Sequence, residues 1–396
     1  MEKDDFLSRM KRFDKVLPLE KIENARILLA GCGAVGTSAL PILVNVGIKN
    51  LVMIDIDKFE KSNFAKTSMV IKFPDDYGKP KAETVAEYGR QAMLDGGTCV
   101  GITVDVMDLG IEFIKQFDYV ICALDSPKAK LYLNRLCIQA DVPMFEGGTN
   151  GLQAIERTYD HKHGCFGCTG EYKYESIGGC AVRYELDVQT GNIPTCQISS
   201  TIAAALVVNE LVKSICDFNA KYNVEHCFYG DYGTFFSNTL NHREDCPYCS
   251  EETKFTEEIT YIPGSIEDMT VKETMLYLNE KYNSDCYILL KNSFVTDGIC
   301  PVCREPVKIN KRQDKIKRSD LYHKTCFGKE RTTEEGASNI LTEISMDSDE
   351  WVLDSKMKDI GFGYGGVFAV NTEKGTVYVC FENDLECLLS KEFIRR

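Results

Sequence analysis

The sequence predicts an α/β protein with a doubly wound, mostly parallel sheet in its larger part and a smaller α+β module at its C-terminal end. Short apolar runs alternate with helix-like stretches through the first part of the chain. A glycine-rich turn follows the first apolar run and opens a helix. After about residue 250 the sequence becomes charged and polar and then ends in short β-like runs. We therefore expect two domains, at 1–252 and 253–396.

Length and composition are those of a globular protein with more than one core. The chain has 396 residues, of which 44% are apolar and 27% are charged. Single cores stop growing at about 250 to 300 residues, so a second domain is expected. The net charge of -14 is spread along the chain, which disfavours attraction to nucleic acid or to an anionic membrane. We expect neither as a partner.

The compartment is predicted from the N-terminal segment and the cysteines. The first residues lack the apolar core of a signal peptide, and no run of about 18 apolar residues is present. We expect a cytoplasmic protein on these grounds. Its 18 cysteines are then expected to be reduced thiols and metal ligands rather than disulfides.

The first element is a strand followed by a phosphate-binding type of turn. The apolar run at 26–30 leads into G-C-G-A-V-G, with Gly31, Gly33 and Gly36, and then into a helix-like segment at 37–46. Glycine lets the backbone approach a phosphate at a helix N-terminus, where free N–H groups favour negative charge. A tight turn without a ligand has the same sequence signature, so this turn alone does not establish a nucleotide site.

The second strand strengthens the prediction of a nucleotide site. The apolar run at 51–54 ends at Asp55, about twenty residues after the turn, where such folds present an acid to a ribose. ATP and NAD both fit this fingerprint. The remaining predicted elements are strands at 101–106, 119–123 and 143–145, helices at 81–93 and 128–140, and a buried helix at 199–215.

Two sets of metal-ligand residues have zinc-site spacing. The first pairs Cys165-x-x-Cys168 with Cys246-x-x-Cys249. Four thiolates in paired knuckles form a closed tetrahedral zinc site, which is a structural arrangement. The alternative is four unrelated core cysteines.

The second set lies in the C-terminal part. It pairs Cys300-x-x-Cys303 with His323-x-x-Cys326, again four ligands suited to zinc. A thioredoxin-like redox role for the first pair would leave His323 and Cys326 unexplained. The basic stretch between the pairs is expected to be a solvated loop rather than a nucleic-acid contact.

Two cysteines outside these sets are candidate nucleophiles. Cys196, in N-I-P-T-C-Q, comes just before the apolar helix, where the helix dipole stabilises a thiolate. Cys180 lies in the glycine-bearing stretch I-G-G-C. We favour Cys196, with a structural role for both as the alternative.

An ordered series of motifs resembles the ubiquitin-activating-enzyme superfamily (E1-like, ThiF-MoeB-HesA), in a bacterial-type form. The series is Asp55-Ile-Asp57, then S-N-F-A-K with Asn63 and Lys66, then G-K-P-K ending at Lys81, and a strand that ends at Asp125. In that family the pattern is acid-x-acid, S-N-x-x-R, G-x-x-K and a D-N pair, and the similarity covers residues 9 to 249. Lys66 and Ser126 depart from it. Lysine keeps the charge but loses the bidentate fork of arginine.

The resemblance implies a role for each matching residue. Asp55 and Asp57 would bind the ATP ribose side of the site, Asn63 and Lys81 would hold phosphates, and Lys66 would supply the family's arginine charge. Asp125 would position Mg²⁺. Arg9, with Arg12 as a competitor, matches an arginine that reaches the neighbouring subunit's ATP site. Cys196 lies in the segment that carries a thioester cysteine in some family members, and the two N-terminal knuckles match the family's Zn²⁺ site.

The implied activity is ATP-dependent adenylation of the C-terminal glycine of a ubiquitin-like or sulfur-carrier protein, followed by thioester transfer to an enzyme cysteine. The glycines at 147 and 148, with Thr149, would border the channel for the partner's tail. A homodimer and a conjugating enzyme as a further partner are also expected. The alternatives are adenylation without an enzyme thioester, an NAD-dependent oxidoreductase, or a catalytically dead scaffold. In the C-terminal part, M-T-V-K-E-T-M-L-Y-L-N-E-K-Y resembles the helix of a ubiquitin-fold module.

Overall fold

The computed structural model describes residues 17–68, 70–93, 96–160, 164–170, 195–249, 255–329 and 336–395. These residues form two compact units. The first contains the described residues up to Met107 and those of Ile114–Phe255, with Arg395; the second contains Asp108–Phe113 and the described residues of Thr256–Ile394. The division into domains at 252 and 253 stays a prediction.

The first unit is built on an eight-stranded sheet. Its strands are β1 Arg26–Ala30, β2 Asn50–Ile54, β3 Thr98–Ile102, β4 Tyr119–Cys122, β5 Met144–Asn150, β6 Gln153–Tyr159, β7 Val224–Tyr229 and β8 Thr234–Thr239. The order is β3-β2-β1-β4-β5-β6-β7-β8. Strands β1 to β5 pair in parallel, and β6 to β8 add antiparallel pairs at one side. The predicted doubly wound, mostly parallel sheet is confirmed.

Helices connect and cover the parallel strands. They are α1 Leu19–Asn24, α2 Ala34–Val46, α3 Lys81–Ala92, α5 Pro127–Ala140 and α6 Gln197–Ile215. The short α4, Ile111–Ile114, lies mostly in the segment assigned to the second unit. Strand β3 was predicted at 101–106 but begins three residues earlier and ends at Ile102. Val106 instead belongs to a 3-10 turn, Val106–Asp108. Apolar residues continue past the strand there, so the sequence pattern alone did not mark its end.

The core of the first unit lies between the sheet and helices α2 and α6. Four consecutive residues of β1 and four of β2 are buried, as expected for parallel strands covered on both faces. The apolar faces of α2 and α6 belong to the same buried cluster as these strands, which includes Leu29, Leu43, Val207 and Leu211. Burial of this cluster fixes the N-terminal ends of both helices over one edge of the sheet.

Helix α6 is the one helix in the described ranges that is long and apolar enough to cross a membrane by those two criteria. Its 18-residue window has a mean hydropathy of 1.4, and 61% of the window is buried inside the protein. Core helices pass the same test. The packing of α6 against α2, β5 and β6 accounts for its apolar composition.

The second unit is a six-stranded sheet with two short helices, consistent with the predicted α+β module. Its strands are β9 Ile259–Ile262, β10 Tyr287–Ile299, β11 Pro306–Arg312, β12 Gly336–Ile344, β13 Phe368–Thr372 and β14 Gly375–Phe381. The order is β11-β10-β13-β14-β9, and β12 also pairs with β10. The helices are α7 Val271–Tyr282 and α8 Glu350–Asp354. Helix α7 begins with a capping box between Thr270 and Glu273.

Candidate functional site

The glycine turn lies between β1 and α2. The surroundings of its three glycines differ in the space that they leave for a side chain. Gly31 has a φ of +97°, and a Cβ there would lie 2.5 Å from the carbonyl oxygen of Ala123. A Cβ on Gly36 would overlap the carbonyl oxygen of Gly31. A Cβ on Gly33 would meet no atom within 4 Å. Gly33 therefore leaves open space at the N-terminus of α2, where backbone N–H groups favour an anion.

Asp55 is fixed beside this turn by two backbone donors. Its Oδ2 accepts a hydrogen bond of 2.7 Å from the N–H of Cys32, and its Oδ1 accepts one of 2.8 Å from the N–H of Asp57. Burial raises the pKa of Asp55 above its ordinary value, although the two N–H donors oppose the rise. The carboxylate thus holds the end of β2 against the glycine turn with a defined orientation.

Lys81 and Asp57 form a partly buried ion pair at the start of α3. The Lys81 Nζ lies 2.9 Å from the Asp57 Oδ2, and Lys81 is only 9% exposed. Lys79 pairs instead with Asp76 at 3.1 Å. Lys81 is therefore oriented toward the acidic end of β2, while Lys79 is directed to a different carboxylate.

Asn63 has a local structural role in addition to its predicted one. It is buried, and its Oδ1 accepts a 2.9 Å hydrogen bond from the N–H of Glu60, which caps the 3-10 turn Lys61–Asn63. Its amide nitrogen has no recorded contact in the described ranges. The capping bond fixes the segment that carries Lys66.

Two charged side chains at this edge of the sheet have no partner. Lys66 is half-buried, and Asp125 is exposed just beyond β4. Within the described part of the chain, neither makes a hydrogen bond or an ion pair through its side chain. Because the carboxyl ends of β1, β2 and β4 meet at one edge, these two charges border the same region as the glycine turn.

The departure at Ser126 has a structural explanation. Ser126 is the N-cap of α5, and its Oγ accepts a 3.4 Å hydrogen bond from the N–H of Ala129. Pro127 occupies the first helical position. Serine and asparagine are similarly good N-caps, so serine preserves the start of α5 directly after Asp125.

Cys196 is the N-cap of α6 and is partly accessible. Its Sγ lies 3.5 Å from the Oγ of Ser199 and 3.8 Å from the carbonyl oxygen of Gly151. The Ser199 hydroxyl, together with the N–H groups of Ser199 and Ile198, lowers the pKa of the Cys196 thiol below its ordinary value. The position and the donors both favour the thiolate, which is the nucleophilic form.

The residue after Cys196 connects it to the nucleotide-site segment. In the amide orientation that satisfies all its neighbours, the Gln197 nitrogen donates to the carbonyl oxygens of Lys66 at 2.9 Å and Thr67 at 2.6 Å. Its oxygen accepts from the hydroxyls of Ser38 at 3.2 Å and Thr201 at 3.1 Å. Sequence inspection missed Gln197 because Lys66, Thr67 and Ser38 are more than a hundred residues away and no motif links them to Gln197.

The end of β5 lies against the same cysteine segment. A Cβ on Gly147 would lie 2.8 Å from Val35, whereas one on Gly148 would meet open space. The Thr149 Oγ1 lies 3.3 Å from the Thr195 Oγ1. Thr149 therefore contacts the residue before Cys196, whereas Gly148 lies on the opposite face of β5, where a Cβ would meet no atom of the described residues.

The first predicted set of metal ligands comes together in the folded first unit. The Sγ atoms of Cys165, Cys168, Cys246 and Cys249 all lie within 4.8 Å of one another. Cys165 is 4.0 Å from Cys168 and 3.8 Å from Cys246, measured between sulfurs. The hydrogen bond from Cys165 lowers the pKa of Cys168. Four thiols at these separations have the donor chemistry of a tetrahedral zinc site.

The second set also comes together, in the second unit. Cys300, Cys303, His323 and Cys326 place their ligand atoms within 4.8 Å of one another. The His323 Nδ1 lies 3.2 Å from the Cys303 Sγ. Burial raises the pKa of the Cys300 thiol, but N–H donors of Cys303, His323 and Val302 outweigh it and lower the pKa to about 6. An ionisable thiol in such a cluster suits a metal ligand.

Three of the predicted site residues lie outside the described residues. They are Arg9, its competitor Arg12, and the alternative nucleophile Cys180. Their roles stay predictions. The remaining predicted site residues are all described, and they fall into one nucleotide-site cluster, one candidate nucleophile and two metal-ligand clusters.

Comparison with known proteins gives a family match and several relatives. The sequence matches the ThiF family over residues 7–251. It is 35% identical over 167 residues to the SUMO-activating enzyme subunit 2 of Dictyostelium discoideum, covering 41% of this chain and 25% of that protein. It is 30% identical over 164 residues to the NEDD8-activating enzyme E1 catalytic subunit of Caenorhabditis elegans, covering 38% of this chain and 37% of that protein. The chain thus spans well under half the length of these two relatives.

An archaeal relative is matched over more of its length. The SAMP-activating enzyme E1 of Haloferax volcanii is 25% identical over 252 residues, covering 61% of this chain and 87% of that protein. Among solved structures, E. coli MccB with ATP superposes with a TM-score of 0.51 at 21% identity, covering 63% of this chain and 75% of MccB. MccB with AMPCPP and MccA gives a TM-score of 0.52 at 22% identity, with the same coverage. The structural likeness concerns the fold.

Proposed function

The chain belongs to the ThiF family, and we propose that it adenylates the C-terminal carboxylate of a partner protein with ATP. One observation carries this proposal. An open helix N-terminus at Gly33, a cation at Lys66 and a carboxylate at Asp125, the last two without a hydrogen bond or ion pair to the described residues, border one edge of the sheet. A nucleoside triphosphate and a divalent cation together need these three kinds of group.

The reaction begins with attack of a partner carboxylate oxygen on the α-phosphorus of ATP. A new P–O bond forms, the bond to the pyrophosphate oxygen breaks, and an acyl-adenylate results. Negative charge on the phosphoryl oxygens increases as pyrophosphate leaves, so fixed cations lower the barrier. Lys66 and Lys81 supply such cations, and Asp55 orients the nucleotide through its place beside the turn. Arg9 would contribute from a second subunit of a homodimer.

Asp125 would hold Mg²⁺ in this reaction. Its carboxylate is exposed and makes no hydrogen bond or ion pair to the described residues, and magnesium prefers such oxygen ligands. When bound, Mg²⁺ supplies charge neutralisation for the departing pyrophosphate. Asp125 lies three residues after the end of β4 and directly before the N-cap of α5, so its backbone position is held between two ordered elements.

A second step would transfer the acyl group to Cys196. The thiolate attacks the acyl carbon, AMP leaves with the bonding electrons of its oxygen, and a thioester forms. Two observations support this residue. The pKa of Cys196 is lowered by the Ser199 hydroxyl and nearby N–H groups, and the preceding residue, Thr195, lies against Thr149 at the end of β5. Direct transfer to an external sulfur donor, without an enzyme thioester, is the alternative.

Both cysteine clusters are proposed as zinc sites. Cys165, Cys168, Cys246 and Cys249 would tie two distant parts of the first unit together, and Cys300, Cys303, His323 and Cys326 would stabilise the second unit. Zinc supplies bond energy to folding in such closed sites.

The proposed partner is a small ubiquitin-like or sulfur-carrier protein with a C-terminal glycine. The relatives named for SUMO, NEDD8 and SAMP activation support a ubiquitin-like partner. At Gly148 a Cβ would meet no atom of the described residues within 4 Å, which leaves room for an incoming tail on that face of β5. A conjugating enzyme as acceptor is a further part of the proposal.

An NAD-dependent oxidoreductase is the competing class, because it shares the glycine turn and Asp55. It binds no nucleotide-bound Mg²⁺, so it has no use for an exposed carboxylate such as Asp125 at the phosphate end of the site. Titration calorimetry with ATP and Mg²⁺ against NAD separates the two. We expect ATP to bind and NAD not to bind; the reverse result would support the oxidoreductase. A catalytically dead scaffold would bind ATP but would exchange no pyrophosphate when partner is added.

A further inference from the structure

A histidine lies against the outer side of the first cysteine cluster. The His242 Nδ1 is 3.3 Å from the Sγ of Cys249 and 3.9 Å from the Sγ of Cys168. These two sulfurs are 3.4 Å apart. His242 thus faces one edge of the set of four thiols.

The four thiols of this cluster are unequally shielded. Cys165 and Cys246 are 1% and 4% exposed, whereas Cys249 is only partly buried. Four thiolates around a Zn²⁺ ion carry a net negative charge, and thiolates that hold this charge near solvent are open to protonation and to electrophiles. A donor beside the outer pair reduces that charge where the shielding by protein is weakest.

The loop that carries His242 is held in place independently of a metal. The N–H of Cys246 donates to the carbonyl oxygen of Arg243 at 3.0 Å. The Arg243 guanidinium donates to both carboxylate oxygens of Asp245, at 3.0 Å and 2.7 Å. His242 directly precedes this turn, so the turn fixes its backbone place, and its ring lies against the Sγ of Cys249.

We infer that His242 is a positioning residue of this cluster, which donates its ring N–H to the Cys249 and Cys168 thiolates and thereby slows loss of the metal. The inference rests on the proposed zinc site. A metal-ligand role for His242 is disfavoured because four thiols already complete the tetrahedron. The second cluster differs in its ligand set, since it has three cysteines and His323 would supply the fourth ligand. The His323 Nδ1 lies 3.2 Å from the Cys303 Sγ, close to the distance between His242 and Cys249.

Zinc release from the purified full chain tests this role. A chromophoric chelator in excess would be mixed with the protein, and the variant Cys249→Ser would identify the phase that belongs to the first cluster. We expect His242→Ala to release that zinc about 10-fold faster, the lower end of the usual effect of such outer donors. His242→Asn should restore slow release, because the Asn amide nitrogen can occupy nearly the same place as Nδ1. Asn241→Ala, an exposed neighbour, is the matched control and should behave as the unmutated chain.

The outcomes separate this inference from the zinc proposal. Equal release rates for His242→Ala and the unmutated chain, with zinc present at the first cluster, would overturn the role of His242 alone. Loss of one zinc per chain in His242→Ala at equilibrium would make it a ligand and would also overturn the donor role. If the unmutated chain holds no zinc that depends on Cys249, the zinc proposal falls and this inference falls with it.

Discussion

The side-chain amide of Gln197 donates to the backbone carbonyl of Lys66 at 2.9 Å, across 131 positions of the chain. Gln197 follows the candidate nucleophile, and Lys66 is the cation of the candidate nucleotide site whose side chain has no ion pair among the described residues. One side chain therefore joins the segments that would perform the two successive steps. The same amide also accepts from Ser38 on α2, whose N-terminus begins at the glycine turn.

Removal of this amide should impair adenylation without unfolding the protein. Gln197→Leu removes the donors to Lys66 and Thr67, and hydrogen bonds of this kind contribute about 1 kcal/mol each, so we expect a rate loss of up to about 30-fold. Partner-dependent exchange of pyrophosphate into ATP measures it. Thr201→Val, which removes one hydroxyl on the exposed side of the same amide, should lose much less. Equal exchange in Gln197→Leu and the unmutated chain would show that the amide is not needed.

Asp125→Ala should abolish partner-dependent exchange while the protein stays folded. The side chain is exposed and makes no contact in the described ranges, so its loss removes a charge for Mg²⁺ and little else. The exposed Asp231, in the turn between β7 and β8, provides the control Asp231→Ala. Full exchange in Asp125→Ala would remove the magnesium assignment.

Metal analysis of the purified chain should find about two zinc ions per chain. Cys246→Ser should lower this number by about one, and so should Cys326→Ser, because each breaks one closed set of four ligands. Elemental analysis after gel filtration gives the number directly. A value of one that is unaffected by Cys326→Ser would leave only the first cluster as a zinc site.

Glu156 should make the first unit less stable as pH rises. It is completely buried on β6, and neither of its carboxylate oxygens has a hydrogen-bond partner within the described ranges. Burial raises the pKa of Glu156 well above its ordinary value of 4.5, and the nearby Glu210 and Glu146 raise it further. Above pH 4.5 the unfolded chain releases this proton while the folded chain retains it. Stability present at lower pH is therefore lost as pH rises toward the folded pKa.

Glu156→Gln should remove this part of the pH dependence. We expect its thermal unfolding midpoint to exceed that of the unmutated chain by more at pH 8 than at pH 5. Between these pH values the free energy of unfolding of the unmutated chain should fall, relative to the variant, by at most about 1.4 kcal/mol per pH unit. Calorimetry at the two pH values measures it, and the exposed Glu244→Gln is the control. A constant difference at both pH values would show that Glu156 is ionised in the folded protein.

Much of the fold was predictable because local patterns determine it. The continuous apolar runs of β1, β2 and β4 predicted a parallel sheet, and the glycine turn predicted the start of α2. The antiparallel strands β7 and β8 were not predicted as such, since β8 is largely exposed and has no apolar alternation. The inclusion of Asp108–Phe113 in the second unit depends on tertiary contacts that local sequence does not encode.

The candidate site likewise contains some residues that local sequence predicts and others that only the tertiary structure reveals. Asp55, Lys81 and the two metal-ligand sets follow motifs with fixed spacing, so sequence inspection found them. Gln197 and His242 act through partners that are distant in sequence, and neither residue type is distinctive alone. Their roles became visible only when α6 and the second knuckle were placed beside the segments that they contact.

Cys196→Ala should separate the two proposed steps. Adenylation needs the nucleotide site alone, whereas capture of the acyl group needs a thiolate, whose formation the Ser199 donors favour here. The partner adenylate should still form in this variant, and the thiol-sensitive adduct of enzyme and partner should be lost on a non-reducing gel. An adduct that persists in Cys196→Ala and disappears in Cys180→Ala would identify Cys180 as the nucleophile. If no adduct forms in any variant, the chain works by adenylation alone.

Formation of a partner adenylate tests the central proposal most directly. The chain would be incubated with Mg²⁺, radiolabelled ATP and each ubiquitin-fold protein of its source organism that ends in glycine, and the mixture would be analysed for labelled AMP and pyrophosphate exchange. We predict that one such protein supports rapid exchange and an acid-stable complex containing AMP, and that Asp125→Ala supports neither. Tight binding of NAD without ATP binding, or ATP binding with no exchange for any glycine-ending partner, would contradict the proposed adenylation.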